Sequence, residues 1–245
     1  MPHFGDDLFL GGATLTPYPT EDFPSGFGVG PLGRVFVYDI VPLTLNAANI
    51  AASQTPTGTT VVLTAGTSVT SVTNNRGETV LQLDVPRAVS IFLTAGGTPR
   101  AYVVTGYDYA GQKMSEQITS VANATTNGKK AFKQILSITG AGGSVQPITV
   151  GTTDILGLPV RVNARAYVTA GWTNTLARDA GTLVVADTTD PATTTTGDVR
   201  GTYVPSSATD GSKRLIVTIA LPTTAVGPTA NRAGAFGLTQ NLGTT

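Results

Sequence analysis

Short runs of β-branched and aromatic residues recur along this chain at spacings of roughly 8–15 residues, each closed by Gly, Pro or an Asn/Asp turn. No run is long enough to bury a face by itself, so the strands must pack together in sheets. The composition leaves little room for helices: 29 Gly, 15 Pro and 42 Thr stand among 245 residues, and strong helix formers are scarce. The predicted strands are 59–65, 78–85, 88–94, 100–109, 114–121, 131–139, 145–150, 158–169, 181–187 and 213–221. Ten such strands specify an all-β fold, an antiparallel β-sandwich or jelly roll, with extended N- and C-terminal arms. Only Leu45 to Ala52 and Trp172 to Arg178 suggest short helices.

Side-chain alternation assigns faces within the strands. Leu215, Val217 and Ile219 point one way, and Arg214, Ile216 and Thr218 the other. In 131–139 the alternation of Phe132, Gln134, Leu136 and Ile138 against Lys133, Ile135 and Ser137 is imperfect. Leu83, Val104, Phe132 and Ile138 are the expected core. The strongest hairpin signal is Tyr109-Ala110-Gly111-Gln112, with Gly111 free to take a positive φ. Asn74-Asn75-Arg76-Gly77 and Thr209-Asp210-Gly211-Ser212 are further turns. Pro86 removes a backbone donor and suits a strand entry or an edge.

The chain divides into three parts. Residues 1–45 read as an extended N-terminal arm in which Phe4, Phe9, Tyr18, Phe23 and Phe27 stand among Gly and Pro without a period. Such an arm has no core of its own, and its rings are candidate partner-binding anchors. Residues 46–225 form the β-sandwich domain. Residues 226–245 are a Gly/Thr/Ala/Asn-rich C-terminal arm, and 187–200 is a low-complexity polar loop or hairpin tip.

Chemistry is constrained by what is missing. There is no Cys, hence no disulfide framework, thiol nucleophile or thiolate metal site. His3 is the one histidine, and in a tail it lacks the orientation a catalytic triad needs. Asp84 and Asp108 are a conceivable carboxylate pair for glycoside hydrolysis, although both flank strand ends where turn roles are commoner. Asp179, Asp187, Asp190 and Asp198 are candidate Ca²⁺ ligands by chemistry, but their spacing fits no calcium loop, and solvated loop carboxylates are the plainer reading. The run 26–30 (GFGVG) lacks the strand, helix and Lys of a phosphate loop and reads as a hinge. Lys129, Lys130 and Lys133 form a small basic patch read as a solvated turn, and Trp172 is a core or interface anchor. We therefore expect no enzyme activity, no cofactor and no metal.

Fifteen Lys plus Arg balance fifteen Asp plus Glu. Zero net charge argues against direct nucleic-acid binding and favours association with other protein. No run of 18 apolar residues predicts a membrane span, and Met1 to Leu15 has no signal-like pattern.

Several segments between 49 and 160 have a familiar succession. They are 49–56 (NIAASQTP), 83–91 (LDVPRAVSI), 104–116 (VTGYDYAGQKMSE), 130–138 (KAFKQILSI), 149–151 (TVG) and 156–159 (LGLP). This succession resembles small β-sandwich structural proteins of tailed bacteriophages, including capsid decoration (cement) proteins. The resemblance implies a non-enzymatic role in the virion, made in the host bacterial cytoplasm, with the major capsid protein as partner and a homo-oligomer (trimer or dimer) as the working form. A tail or head-tail adaptor component is the alternative, and a receptor- or polysaccharide-binding module a further one.

Overall fold

A computed structural model describes residues 34–140, 142, 146–162, 166–173, 177–221 and 240–241. Phe4, Phe9, Tyr18, Phe23 and Phe27, together with His3, the 26–30 hinge and most of the C-terminal arm, lie outside the described residues. The described residues form strands without any helix, and every pair of named strands runs antiparallel. None of them forms a helix long and apolar enough to cross a membrane.

One long strand, β4 (Thr79–Leu93), organises the larger sheet. Its first half lies between β3 (Val69–Thr73) and β8 (Phe132–Gly140). Its second half lies between β9 (Ile148–Gly157) and β7 (Ala124–Asn127). The exchange of partners falls around Pro86 and Arg87, where the register slips against both β8 and β9. Proline has no N–H to give, so the ladder is interrupted where the strand must change neighbours. On one side the sheet continues from β8 through β5 (Ala101–Tyr107) to β6 (Lys113–Thr119). On the other, β9 pairs with β2 (Ala51–Gln54) and with β12 (Thr202–Val204), beyond which lies β11 (Thr182–Val184). Leu81, Leu83, Val104, Phe132, Ile135 and Ile138 from the first half share one core with Val89, Ile91, Leu93, Ile148 and Val150 from the second. The two halves thus close on each other as the layers of a sandwich.

A separate three-stranded sheet has the order β1 (Arg34–Ile40), β13 (Leu215–Leu221), β10 (Tyr167–Trp172). It covers a second core made of Leu215, Val217, Ile219, Ala170 and Trp172 together with Leu156, Leu158, Val160, Val162 and Tyr203.

The four expected core residues, Leu83, Val104, Phe132 and Ile138, are all buried, and so are Leu215, Val217 and Ile219. Gly111 closes the β5–β6 hairpin with φ 76° and donates to the Asp108 carbonyl. The imperfect alternation in β8 has a structural cause. Thr105 pairs with Ser137 and Gly106 with Ile135, so Leu136 is an extra residue, and Ile135 and Ile138 both reach the core. A Cβ on Gly106 would stand 2.0 Å from the Gln134 carbonyl oxygen, so only glycine fits opposite this bulge.

Several sequence expectations are corrected. The segments 78–85 and 88–94 are one bent strand rather than two. Residues 61–65 make no ladder; Thr60 alone bridges to Thr139, although Val61 is buried. Residues 34–40, placed in the N-terminal arm by their proximity to its Gly and Pro, are a paired strand. Residues 158–162 bend at Pro159 and Val160 and join no ladder, although Leu158, Val160 and Val162 are buried; Val162 donates instead to the Arg200 carbonyl. Leu45 to Ala52 is an irregular stretch and turn entering β2, and Trp172 ends β10 rather than opening a helix.

Arg87 sits fully buried at the exchange point, 2.8 Å from Asp84, and its guanidinium also donates to the Leu43 carbonyl. Removing one partner of a buried pair strands the other charge, which costs about 3–5 kcal/mol. Arg87→Ala is therefore expected to lose stability of that order in urea titration, whereas Arg214→Ala, which breaks an exposed pair with Asp39, should leave the midpoint almost unchanged.

Candidate functional site

The densest chemistry in the molecule lies where the β6 strand, the turn after β7 and the 187–200 segment meet. Glu116 on β6 accepts the backbone N–H groups of Lys129 and, at 3.2 Å, Lys130. The Lys130 ammonium, wholly buried, donates to the carbonyls of Ser115 (3.1 Å) and Thr193. Asp198 accepts the N–H groups of Ala131 (2.9 Å), Arg200 (2.8 Å) and Gly201 (3.1 Å). Arg200 pairs with Asp108 at 2.7 Å, and Asp108 also accepts from the Gln112 N–H and the Gln240 amide. All five charged residues are buried.

Three carboxylates face two cations, so the cluster carries one negative charge if every member ionises. Burial disfavours that charge, and a proton can remove it. Burial raises the Glu116 carboxyl from its ordinary 4.5 to about 7, against the opposing pull of the Lys129 and Lys130 N–H groups and the Lys130 charge. The Asp198 carboxyl is also raised by burial, despite the three N–H groups and the Arg200 charge. Burial lowers the Lys130 ammonium, while Glu116, Asp198 and Asp187 support it. Both Glu116 oxygens are occupied by backbone donors, and Glu116 lines neither groove described below. The arrangement anchors loops.

What it anchors is the low-complexity segment and the chain's end. Thr194 accepts the Gln117 N–H on the outer edge of β6, and Asn241 accepts the Ser115 N–H on the same edge. Asn241 also donates to the Ser115 hydroxyl at 3.0 Å. The edge strand is thereby covered at alternate residues. The segment 187–200 is a docked strap, with Ala192, Asp198, Val199 and Arg200 buried, rather than a free polar tip.

The other candidate residues are dispersed. Asp84 serves Arg87 and the Leu43 N–H, while Asp108 serves Arg200, so each carboxylate has its own structural task. Asp179 accepts from the Tyr203 and Ser206 hydroxyls; burial pushes its carboxyl up, but these bonds outweigh that and hold it below its usual value. Asp187 is held low by the N–H groups of Thr189 and Gly197. Asp190 is exposed, and among the described residues no three His, Asp or Glu side chains gather as a metal site. The expected basic patch dissolves: Lys129 is exposed, Lys130 is buried, and Lys133 donates to the carbonyls of Leu83 and Asp84 at 2.7 Å each. Trp172 is buried in the second core.

Two adjoining grooves lie alongside. One, of ≈ 440 Å³, has Val184, Val185 and Ala186 on one wall and Gly128 and Lys129 on the other. The second, of ≈ 360 Å³, runs past Ser90, Thr125, Asn127 and Asp154, and the two meet at Ile155 and Val204. A third feature is an apolar sheet face: Val35, Val37 and Tyr167 are 63%, 65% and 64% exposed on the three-stranded sheet.

The cluster has a measurable signature. Between pH 4.5 and about 7 the folded chain holds a proton on Glu116 that the unfolded chain has released. This contribution is complete below the ordinary glutamate value and is lost as pH rises through about 7. The expected loss is about 1–3 kcal/mol, since each pKa unit is worth ~1.4 kcal/mol. Glu116→Gln, which keeps the neutral shape, should flatten the fall of melting temperature across that window. An unchanged slope in the variant would show that the proton resides elsewhere.

Comparison with protein-family models, with curated proteins and with solved structures found no match to this chain.

Proposed function

We propose that the chain is a non-enzymatic structural protein of a tailed-bacteriophage virion, a capsid decoration protein that binds across major capsid subunits as a homo-oligomer. The observation that carries this reading is the division of labour among side chains. Ionisable groups that would serve catalysis are buried and committed to loop backbone or to each other, while apolar side chains stand on an exposed sheet face. Such a surface offers adhesion rather than chemistry. The resemblance over 49–160 supplies the setting.

The mechanism follows from linkage. A protein that touches two neighbouring subunits binds the assembled shell better than loose subunits, and so stabilises the assembled state. Several contacts on one oligomer multiply the effect. The N-terminal arm, with Phe4, Phe9, Tyr18, Phe23 and Phe27, is the part we assign to the shell.

Three measurements test this. Purified protein should bind expanded empty shells and raise their melting temperature, yet ignore unassembled capsid subunits. Removal of residues 2–30 should weaken shell binding at least tenfold while leaving the protein's own melting nearly unchanged. Particle counting should find on the order of hundreds of copies per head, since icosahedral shells repeat each local axis many times. A count of about a dozen would instead identify a tail or adaptor component.

A further inference from the structure

The strap is built in two parts. Its base is closed by bonds of its own. The Asp187 N–H donates to the Asp198 carbonyl at 2.9 Å, and the Asp187 carboxylate accepts the N–H groups of Thr189 and, at 2.8 Å, Gly197. Asp198 fixes this base to the sandwich through the Ala131 N–H. The tip, 193–196, is a turn closed on itself: the Thr193 N–H donates to the Thr196 hydroxyl, and that hydroxyl to the Thr193 carbonyl.

Three polar bonds hold the tip against its neighbours. The Lys130 ammonium donates to the Thr193 carbonyl, the Gln117 N–H to the Thr194 carbonyl at 2.8 Å, and the Lys129 ammonium to the Thr195 carbonyl at 3.5 Å. Each ends on a tip carbonyl, which water can satisfy in exchange. The apolar seal is small, since between Thr188 and Gly197 only Ala192 is buried. Base and tip therefore keep their internal bonds when the tip lifts.

We infer that the tip of the strap is a latch, which swings about the Asp187–Asp198 base and so covers or bares the outer edge of β6 in the folded protein. β6 is the last strand on its side of the sheet, and a lifted tip frees the Gln117 N–H to take another strand. The inference concerns the chain itself and stands independently of a virion role.

Charge sets the balance. Lys130 ties the tip to Ser115, the neighbour of Glu116. Facing Glu116 are Lys129 and Lys130 from the turn after β7 and Asp198 from the strap. Asp187 acts on both lysines, and the Arg200–Asp108 pair balances itself alongside. Lys129 and Asp187, both outside the buried set, offset each other. With Glu116 neutral, Lys130 and Asp198 balance, and the closed cluster carries no net charge. With Glu116 ionised, closure retains a buried negative charge that an open tip lets water solvate. The closed state thus holds a proton that the open state releases. Closure is strongest below the ordinary glutamate value of 4.5, weakens as pH rises, and levels off above about 7.

Amide hydrogen exchange in the full-length wild type tests this, read residue by residue and corrected for the intrinsic effect of pH. The Gln117 N–H reports the tip, the Ala131 N–H the base, and the β4–β9 ladder the whole fold. Gln117 should be protected at least a hundredfold less than the ladder, with exchange unaffected by 1 M urea, the mark of a local opening. Its protection should fall at least tenfold from pH 5 to pH 8. Ala131 should stay at least tenfold better protected than Gln117 throughout. Glu116→Gln should hold Gln117 within threefold of its pH 5 protection up to pH 8. Should that variant fold poorly, the wild-type contrasts among Gln117, Ala131 and the ladder decide alone. Gln117 protection equal to the ladder's would refute the latch, because the tip would then move only with the whole fold. Ala131 exchanging in step with Gln117 would overturn the hinge at the base. A flat wild-type pH profile, or one that persists in Glu116→Gln, would overturn the control by charge.

Discussion

Everything in the larger sheet depends on β4 changing partners without leaving polar backbone stranded in the core. A strand that pairs with β3 and β8 and then with β9 and β7 must break register between the two halves. Pro86 makes the break and Arg87 fills it. The buried guanidinium binds Asp84 and the Leu43 carbonyl, and Asp84 in turn accepts the Leu43 N–H at 2.7 Å. Lys133 caps the carbonyls of Leu83 and Asp84 from the β8 side. Thus one ion pair and one ammonium satisfy backbone groups that the interrupted ladder abandons. The pair is justified less by Coulomb energy, which desolvation largely cancels, than by the Leu43 N–H, which has no acceptor but Asp84 among the described residues; the Leu43 carbonyl keeps the Thr209 hydroxyl as a second donor at 2.7 Å.

The second polar cluster solves a different problem with the same means. Long segments without ladder partners must be fixed to a sandwich whose edge would otherwise be open. Asp198 and Lys130 do this by binding backbone from across the contact: the carboxylate takes N–H groups on both sides of it, and the ammonium takes a carbonyl of β6 and one of the strap. Burial within this cluster raises the Glu116 carboxyl to about 7. This cluster ties the strap, β6 and the described end of the C-terminal arm into one unit, so a local change of charge is felt by all three.

The fold class, the Gly111 hairpin and the core residues were legible in the sequence because each rests on local pattern: alternation, turn chemistry, β-branching. The bulge at Leu136 was visible only as a flaw in alternation. What stayed hidden is non-local. Lys130 and Asp198 look like ordinary loop residues, and nothing within a few positions of either reveals partners 63 and 67 residues away, the Thr193 carbonyl and the Ala131 N–H. Thr-rich 187–200 was misread for the same reason, since its polar backbone finds partners only across the fold. Conversely, β1 was assigned to the arm because an apolar run beside Gly and Pro resembles its neighbours. Its consecutive apolar residues, Val35 to Tyr38, are a strand signal that is present in the sequence.

The two clusters also account for the surface. Seven charged residues are buried among the described residues, out of the fifteen cations and fifteen carboxylates in the chain. The outer surface is therefore even poorer in charge than the composition suggests, and threonine hydroxyls and isolated valines take its place. Colloidal stability weakens as surface charge falls, and such a protein tends to associate. Moving charge from surface to interior thus serves two ends: it holds irregular loops where a small sandwich lacks ladder partners, and it leaves faces that adhere without strong electrostatic preference. Contacts made by such faces should vary little with salt, because few screened ion pairs contribute to them. Specificity in such contacts must then come from shape.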